Sequence, residues 1–472
     1  MVNRILIRIK VVQLLYSYLL TRSDFKIITE PGDSSADKKF AYATYLDLLA
    51  LLLLLTGNNV FSHKSNKITE KKLLASSVGK AFAADSRLKE IFFKNHDKFE
   101  YLIPLVETLQ REVTSSSVFQ EYRRKRKIEL EEEVSLWITL FETTIASSLE
   151  LEASLRKLPG YSKVGFERAI DMTVETLKSF YAAKAGYFQA LKALERSMEQ
   201  AYKLYLSVFV LIVRLTEARE VQLENAKNKF LATSEDKNPN TRFINNSFAR
   251  ALSESKELQF LIKEYGSATW TDDILLLNSL LNSIVNSSVY KSYMEASTTD
   301  WNKDCEFWRD LLKNVIFPSD IIMDAMEEES VYWNDDLHII GTFVLKSVRI
   351  DAQNPAGELN FLPQYKDEED SRFGAELFEF AVKNREKYYS YIDGFVDTSS
   401  WESDRIAFMD TVIMICALAE IINFPNIPIA VSLNEYIDIA NFYSSSKSGH
   451  FINGVLYSII EHLKSENIIF KQ

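Results

Sequence analysis

The residues whose types and spacing could grip a polyanion fall in three places. Arg4, Arg8 and Lys10 open the chain, interleaved with Ile5, Ile7 and Ile9. If residues 5–20 form a helix, Ile5, Ile9, Val12, Tyr16 and Leu19 share one face, Arg4 and Arg8 lie one turn apart beside it, and Lys10 projects elsewhere. Such arginines can hold phosphates bidentately or stack on unpaired bases. They can also serve only to solvate a core helix, and on these residues alone that reading wins. The run Arg123, Arg124, Lys125, Arg126, Lys127 is followed at once by IELEEE, so local charge pairing competes with any binding role. In SSSKSGHFING, residues 444–454, Lys447, His450 and Phe451 gather at the start of a helix whose free amides attract phosphate. Phe451 could stack a base there or be an ordinary core residue.

Other chemistry is missing. No P-loop or glycine fingerprint for a dinucleotide or methyl donor occurs, which argues against nucleotide-dependent catalysis and leaves no cofactor to expect. His63, His96, His338, His450 and His462 form no HExxH pair, and neither Cys305 nor Cys416 has a histidine close in sequence. The best metal candidate is Asn334, Asp335, Asp336 and His338; a helix N-cap with a favourable dipole contact is the preferred reading of that cluster. The expectation is therefore no metal and no enzyme.

The elements that must position these residues are helical. Thirteen glycines and nine prolines in 472 residues are too few for the turns of an all-β fold, while a hydrophobic fraction of 47% demands a core. The length implies two to four structural units. Fifty-five basic against 66 acidic residues give a net charge of −11, so any polyanion must meet a restricted basic face. Two cysteines point to a reducing compartment, and the opening segment lacks a signal-peptide cleavage site; a cytoplasmic protein is expected.

The apolar run of residues 40–57 could suggest a membrane span, but the sequence carries its own control. AYATYLDLLALLLLLT from Ala41 reappears without a gap as AYKLYLSVFVLIVRLT from Ala201, with Lys203 and Arg214 inside it. Both copies therefore read as buried bundle helices, with no membrane partner. SSVFQEY at Ser116 matches SSVYKSY at Ser287, and Trp137 falls on Trp308. We read two homologous all-helical units, residues 1–185 and 186–365, followed by a C-terminal domain, residues 366–472. Helices are expected over residues 172–180, 339–348, 373–395, 403–423, 431–442 and 449–465. The second copy has MEAST where the first has the 123–127 basic run, so the repeated fold does not require that run.

The C-terminal segment resembles the signature of the NusB family of transcription antitermination factors. Ile427, Pro428, Val431, Asn434, Glu435, Ala440, Ser448, Phe451, Asn453, Gly454, Val455 and Leu456 fit its I-P, V-x-x-N-E and S-x-x-F-x-N-G-V-L elements in order. The opening NRILIRIKVVQLLYSYLL is similar to the family's first helix, with Gln13, Leu15 and Tyr16 in an x-Q-x-L-Y motif. The long middle resembles the expanded Bacteroidetes-type form. The resemblance implies an all-α NusB-like helical bundle that binds single-stranded boxA-like RNA with the ribosomal small-subunit protein NusE, within the RNA polymerase antitermination complex on ribosomal RNA transcripts. It carries RNA contact to Arg4, Arg8 and Lys10 and to Lys447, His450 and Phe451, and a partner contact to Asp410. Ile415 stands where the family usually has a basic residue, Ala419 where it has tyrosine, and Lys447 where it has an acid. Those departures leave room for RNA contact to have moved to residues 123–127. The other readings are a helical protein-interaction scaffold with little RNA binding and, more remotely, an RNA-modification accessory protein.

Overall fold

The computed structural model describes residues 3–30, 35–58, 68–333, 335–354, 357–396, 406–445 and 447–471. It is all-α, with no strand among the described residues. The chain divides into two units: Thr21–Gln189, and Met1–Leu20 together with Ala190–Gln472.

The chain opens with α1 (Arg4–Thr21). The Thr21–Gln189 unit then contains α2 (Ala36–Leu55), α3 (Lys71–Leu74), α4 (Ser77–Ala84), α5 (Ser86–Lys94), α6 (His96–Phe99), α7 (Val106–Ser115), α8 (Ser117–Arg124), α9 (Leu130–Thr139) and α10 (Leu149–Leu155). It closes on the first part of α11 (Lys163–Lys227), inside which the division falls. α2 is the centre of this unit. Leu48 to Leu55 are all buried, and this second half of the helix is apolar all round because α4, α7 and the 3-10 turn before α7 cover α2. No helix among the described residues is long and apolar enough to cross a membrane.

The larger unit continues with α12 (Ser234–Lys237), α13 (Ser247–Glu254), α14 (Lys256–Tyr265), α15 (Ile274–Asn286), α16 (Ser288–Glu295), α17 (Trp301–Leu311), α18 (Asp320–Glu329) and α19 (Asp336–Ala352). Its last part is α20 (Glu368–Lys383), α21 (Arg385–Phe395), α22 (Phe408–Asn423), α23 (Ile429–Tyr443) and α24 (Ser448–Ser465). α22 is buried from Asp410 to Ile421 and is the hub against which α20, α21, α23 and α24 pack.

The two sequence copies build matching local structures. Ser116 caps α8 by accepting from Phe119 N, and Ser287 caps α16 by accepting from Tyr290 N. α9 and α17 each run into a short π-helical stretch, Leu140–Ile145 and Leu312–Ile316. Buried Glu133 on α9 accepts from the backbone and hydroxyls at the start of α4, through Ser76, Ser77 and Val78. Buried Asp304 on α17 does the same at the start of α13, accepting from Ser247 N and Oγ at 2.7 and 2.6 Å. In both copies a carboxylate meets the positive end of a helix. Tyr45 bonds Thr176 across 2.9 Å, and Tyr205 bonds Ser347 across 2.7 Å.

Several expectations about organisation need correction. The sequence places the opening helix with the first repeat, yet Met1–Leu20 groups with Ala190–Gln472, a unit that joins residues 190–365 to 366–472. The cause is that α1 lies on α20, where Gly374 leaves room for Ile7: an added Cβ would stand 2.9 Å from Ile7 Cγ2. The helix expected at 172–180 and the apolar copy from Ala201 are also not separate, because no proline interrupts residues 163–227 and α11 runs through both. The helix expected over 373–395 breaks instead at Asn384, and residues 403–405 lie outside the described residues.

Asp351 is buried in the last turn of α19, where its carboxylate accepts from Asn360 N at 2.9 Å. Burial pushes its carboxyl up to about 7 from an ordinary 3.8. Between those values the folded chain holds a proton that the unfolded chain has released, so stability falls as pH rises through that window and levels off above it. Asp351→Asn is expected to flatten this slope and raise stability at pH 8 by on the order of 2 kcal/mol. Urea unfolding at pH 5 and pH 8 reads it; an unchanged slope refutes the assignment.

Candidate nucleic-acid interface

α1 crosses the larger unit with Arg8 and Lys10 turned inward. Arg8 is 2% exposed, and its guanidinium donates from Nε and Nη2 to the two oxygens of Glu420 on α22, each at 2.8 Å. Glu420 is fully buried and also accepts from Ser432 Oγ at 2.6 Å and Tyr436 Oη at 3.0 Å, both on α23. Every oxygen of this carboxylate is therefore engaged, as a buried charge requires. The Phe373 ring on α20 lies 5.5 Å from the Arg8 guanidinium.

Lys10 is 4% exposed. Its ammonium meets Asp336 at 2.6 Å and donates to Tyr332 O at 2.9 Å. Burial pushes the Asp336 carboxyl up, and the Lys10 charge opposes that shift. The cluster read as an N-cap or metal site thus has another use: Asp335 occupies the cap position of α19 without a side-chain cap bond, Asp336 pairs with Lys10, and His338 stacks on Phe442. Asn334 lies outside the described residues, among which no group of metal-ligating side chains occurs.

Arg4 keeps 28% of its side chain exposed but is bridged by Asp370 at 2.7 Å and Glu369 at 2.9 Å. These belong to the acidic first turn of α20, so the field around Arg4 is negative. The expectation that Arg8 and Lys10 face RNA needs correction: as the chain is folded they are closed to solvent, because both guanidinium and ammonium are neutralised inside the bundle.

Asp410, expected on a partner surface, is 6% exposed. Its Oδ2 accepts from Ser448 Oγ at 3.0 Å, and Ser448 also bonds Ser444 and Ser445, so this carboxylate pins the turn that opens α24. Its negative charge sits near the positive end of that helix, the place expected to attract phosphate. Lys447 and His450 at the turn are exposed, with Phe451 half-buried. Gln13 and Tyr16 of α1 reach the same region, through Tyr443 Oη at 3.4 Å and the Phe408 ring at 5.2 Å. Sequence reading missed them as neighbours of the turn, although both stand in the x-Q-x-L-Y motif. Arg4 is nine residues before Gln13, roughly 14 Å along the helix. The structure therefore brings Gln13, not Arg4, to Tyr443 just before the late turn, and Tyr16 to Phe408 at the start of α22.

Residues 123–127 lie in the Thr21–Gln189 unit, at the end of α8. Lys125 pairs with Glu132 at 2.8 Å, Lys127 with Glu129 at 2.6 Å, and Arg123 approaches Glu70 at 3.9 Å. Arg124 and Arg126 are exposed and have no partner among the described residues.

Residues 342–461 match the NusB family model. The transcription antitermination protein NusB of Salinibacter ruber is 32% identical over 121 residues, which are 26% of this chain and 74% of that protein. The NusB proteins of Chloroherpeton thalassium and Methylacidiphilum infernorum are 39% identical over 72 residues and 38% over 86, covering 34% and 56% of their lengths and 15% and 18% of this chain. The chain thus spans less than two thirds of these last two. No solved structure matches it.

Removing one member of a buried pair strands the other charge. Arg8→Met is expected to lower stability by about 3–5 kcal/mol, while Arg8→Met with Glu420→Gln, which removes the stranded charge but keeps an acceptor for the Ser432 and Tyr436 hydroxyls, restores most of it. Chemical denaturation of both variants checks this; a double variant no more stable than the single one refutes the pairing.

Proposed function

Since the chain belongs to the NusB family, we propose that it is an RNA-binding transcription antitermination factor without a catalytic step of its own. In this reading it takes single-stranded, boxA-like RNA of ribosomal transcripts and works with NusE in the antitermination complex. The observation that carries it is the turn between α23 and α24: Lys447 and His450 are exposed and unpaired among the described residues, with an aromatic ring one position further on. Cations supply phosphate contact and Phe451 a stacking face, the combination that single-stranded RNA requires. Arg8, Lys10 and Asp410 act in this reading as positioning residues that hold α1 and the turn. Arg124 and Arg126 form a second, independent contact to phosphate.

A labelled boxA-like RNA and a scrambled control, titrated with and without NusE at two salt concentrations, test the reading. Tighter binding to the boxA-like RNA, strengthened by NusE, is expected. Lys447→Glu/His450→Ala should weaken it at least tenfold and reduce the salt slope by roughly 0.7 for each phosphate that is no longer neutralised. Arg124→Glu/Arg126→Glu should lower the slope separately. Equal weak binding to both RNAs, with firm binding to NusE, would instead favour the protein-interaction scaffold.

A further inference from the structure

The Thr21–Gln189 unit holds a cavity of about 800 Å³ that plays no part in RNA contact at the late turn. One wall is the first half of α2, where Ala36, Lys39, Phe40, Ala43, Leu46 and Asp47 recur at helical spacing. The facing wall comes from residues 95–101, with Phe99 and Tyr101. Asp47 lies at its buried end, 6% exposed, and Tyr101 Oη donates to Asp47 Oδ2 at 2.8 Å. That leaves Oδ1 as an acceptor without a partner among the described residues. Lys39 and Lys98 line the same cavity and are exposed. Lys98 bonds Asn95 Oδ1, and Lys39 has no partner among the described residues.

The second sequence copy shows that the repeated helix does not need this arrangement. Ser207 stands at the position aligned with Asp47. Its hydroxyl accepts from Ala268 N at 2.7 Å, and the following turn, with Trp270 buried, packs there. Lys203, aligned with Ala43, pairs with Glu329 at 3.0 Å. One copy fills the space with its own chain; the other keeps a cavity with an acid inside it.

The requirements on a ligand follow from the lining. Its buried end must offer N–H or O–H donors to a carboxylate, its body must be flat or apolar against Phe40, Phe99 and Tyr101, and its outer end must be anionic to meet two lysines. We propose that this cavity binds a guanine nucleotide, with the ring and amino N–H groups of the base donating to Asp47 and the phosphate at Lys39 and Lys98. Guanine offers two adjacent donors on one edge; adenine turns a ring acceptor toward the same carboxylate. Burial pushes the Asp47 carboxyl up to about 7, and N–H donors of a base would favour its charged form. The base could arrive as a free mononucleotide or within single-stranded RNA, and this site stands whether or not the late turn binds RNA.

Calorimetric titration of the full chain with GMP, AMP, guanosine and a short single-stranded RNA with or without a guanine distinguishes these cases. GMP or the guanine-containing RNA is expected to bind at least tenfold more tightly than its adenine counterpart. Asp47→Asn, which turns an amide donor toward the base, should abolish that preference, and Lys39→Ala/Lys98→Ala should weaken GMP without affecting guanosine. Because Asp47 is buried, Ala43→Trp provides a second variant from an exposed position, expected to block binding while leaving the thermal midpoint unchanged. GMP binding alone identifies a mononucleotide site, and RNA binding alone a base pocket for RNA. No guanine preference in either form, or a preference untouched by Asp47→Asn and Ala43→Trp, overturns the proposal.

Discussion

The larger unit depends on one buried charge pair. Arg8 enters from the amino terminus and Glu420 from the middle of the most buried helix, and each would be intolerable alone. A guanidinium has a planar fork of donors that matches a carboxylate in one orientation only. The pair therefore sets the rotation and axial position of α1 more than it adds net stability, since well-packed apolar residues could replace both. Lys10 with Asp336 and Arg4 with Asp370 repeat the device at other points of α1, so the helix is held toward α19, α20 and α22 in one register.

A related use of buried carboxylates recurs in the repeated segments, where they serve helix ends. Glu133 and Asp304 each accept from the free amides at the start of a helix, groups that would otherwise lie buried without partners. Glu becomes Asp between the copies, yet the bonded helix end is retained. Serine hydroxyls at Ser77 and Ser247 complete both sites. A helix that starts inside a protein needs such an acceptor, which explains why an acid can sit at 2% exposure on α17.

Much of this was legible in the sequence because it is local. Helical periodicity, scarce glycine and proline, the serine caps and the pairing of Lys125 with nearby acids all depend on residues within a few turns. The helical class and the kinship of the C-terminal part were readable for that reason. What escaped is non-local. Nothing near Arg8 announces that its partner stands 412 residues away, so a cation on a helix edge read as a ligand contact when it is an internal tie. Asp410 failed similarly: its partner, Ser448, is brought close only by the packing of α22 on α24. The Asp47 cavity was invisible because an acid in an apolar run reads as an interruption until Tyr101 and the opposite wall are placed.

The long sequence interval between α1 and the rest of its bundle carries only a small thermodynamic penalty. Closing a loop costs free energy only with the logarithm of its length, so each doubling adds about 0.6 kcal/mol. A bundle can therefore accept a whole helical unit between its first helix and the next, provided the returning helix finds a register that no other face offers. Apolar packing at Gly374 and Ile7 alone would tolerate sliding along the α20 surface. Charges that must be paired inside the bundle would not, because a shift of one turn would leave Arg8 and Glu420 buried and unpaired. Using Arg8 and Lys10 in this way removes them from the surface, while Lys447, Arg124 and Arg126 stay exposed and without a side-chain partner among the described residues. An expanded chain that must hold its opening helix across such an interval thus has a physical reason to carry polyanion contact on groups other than those the opening sequence first suggests.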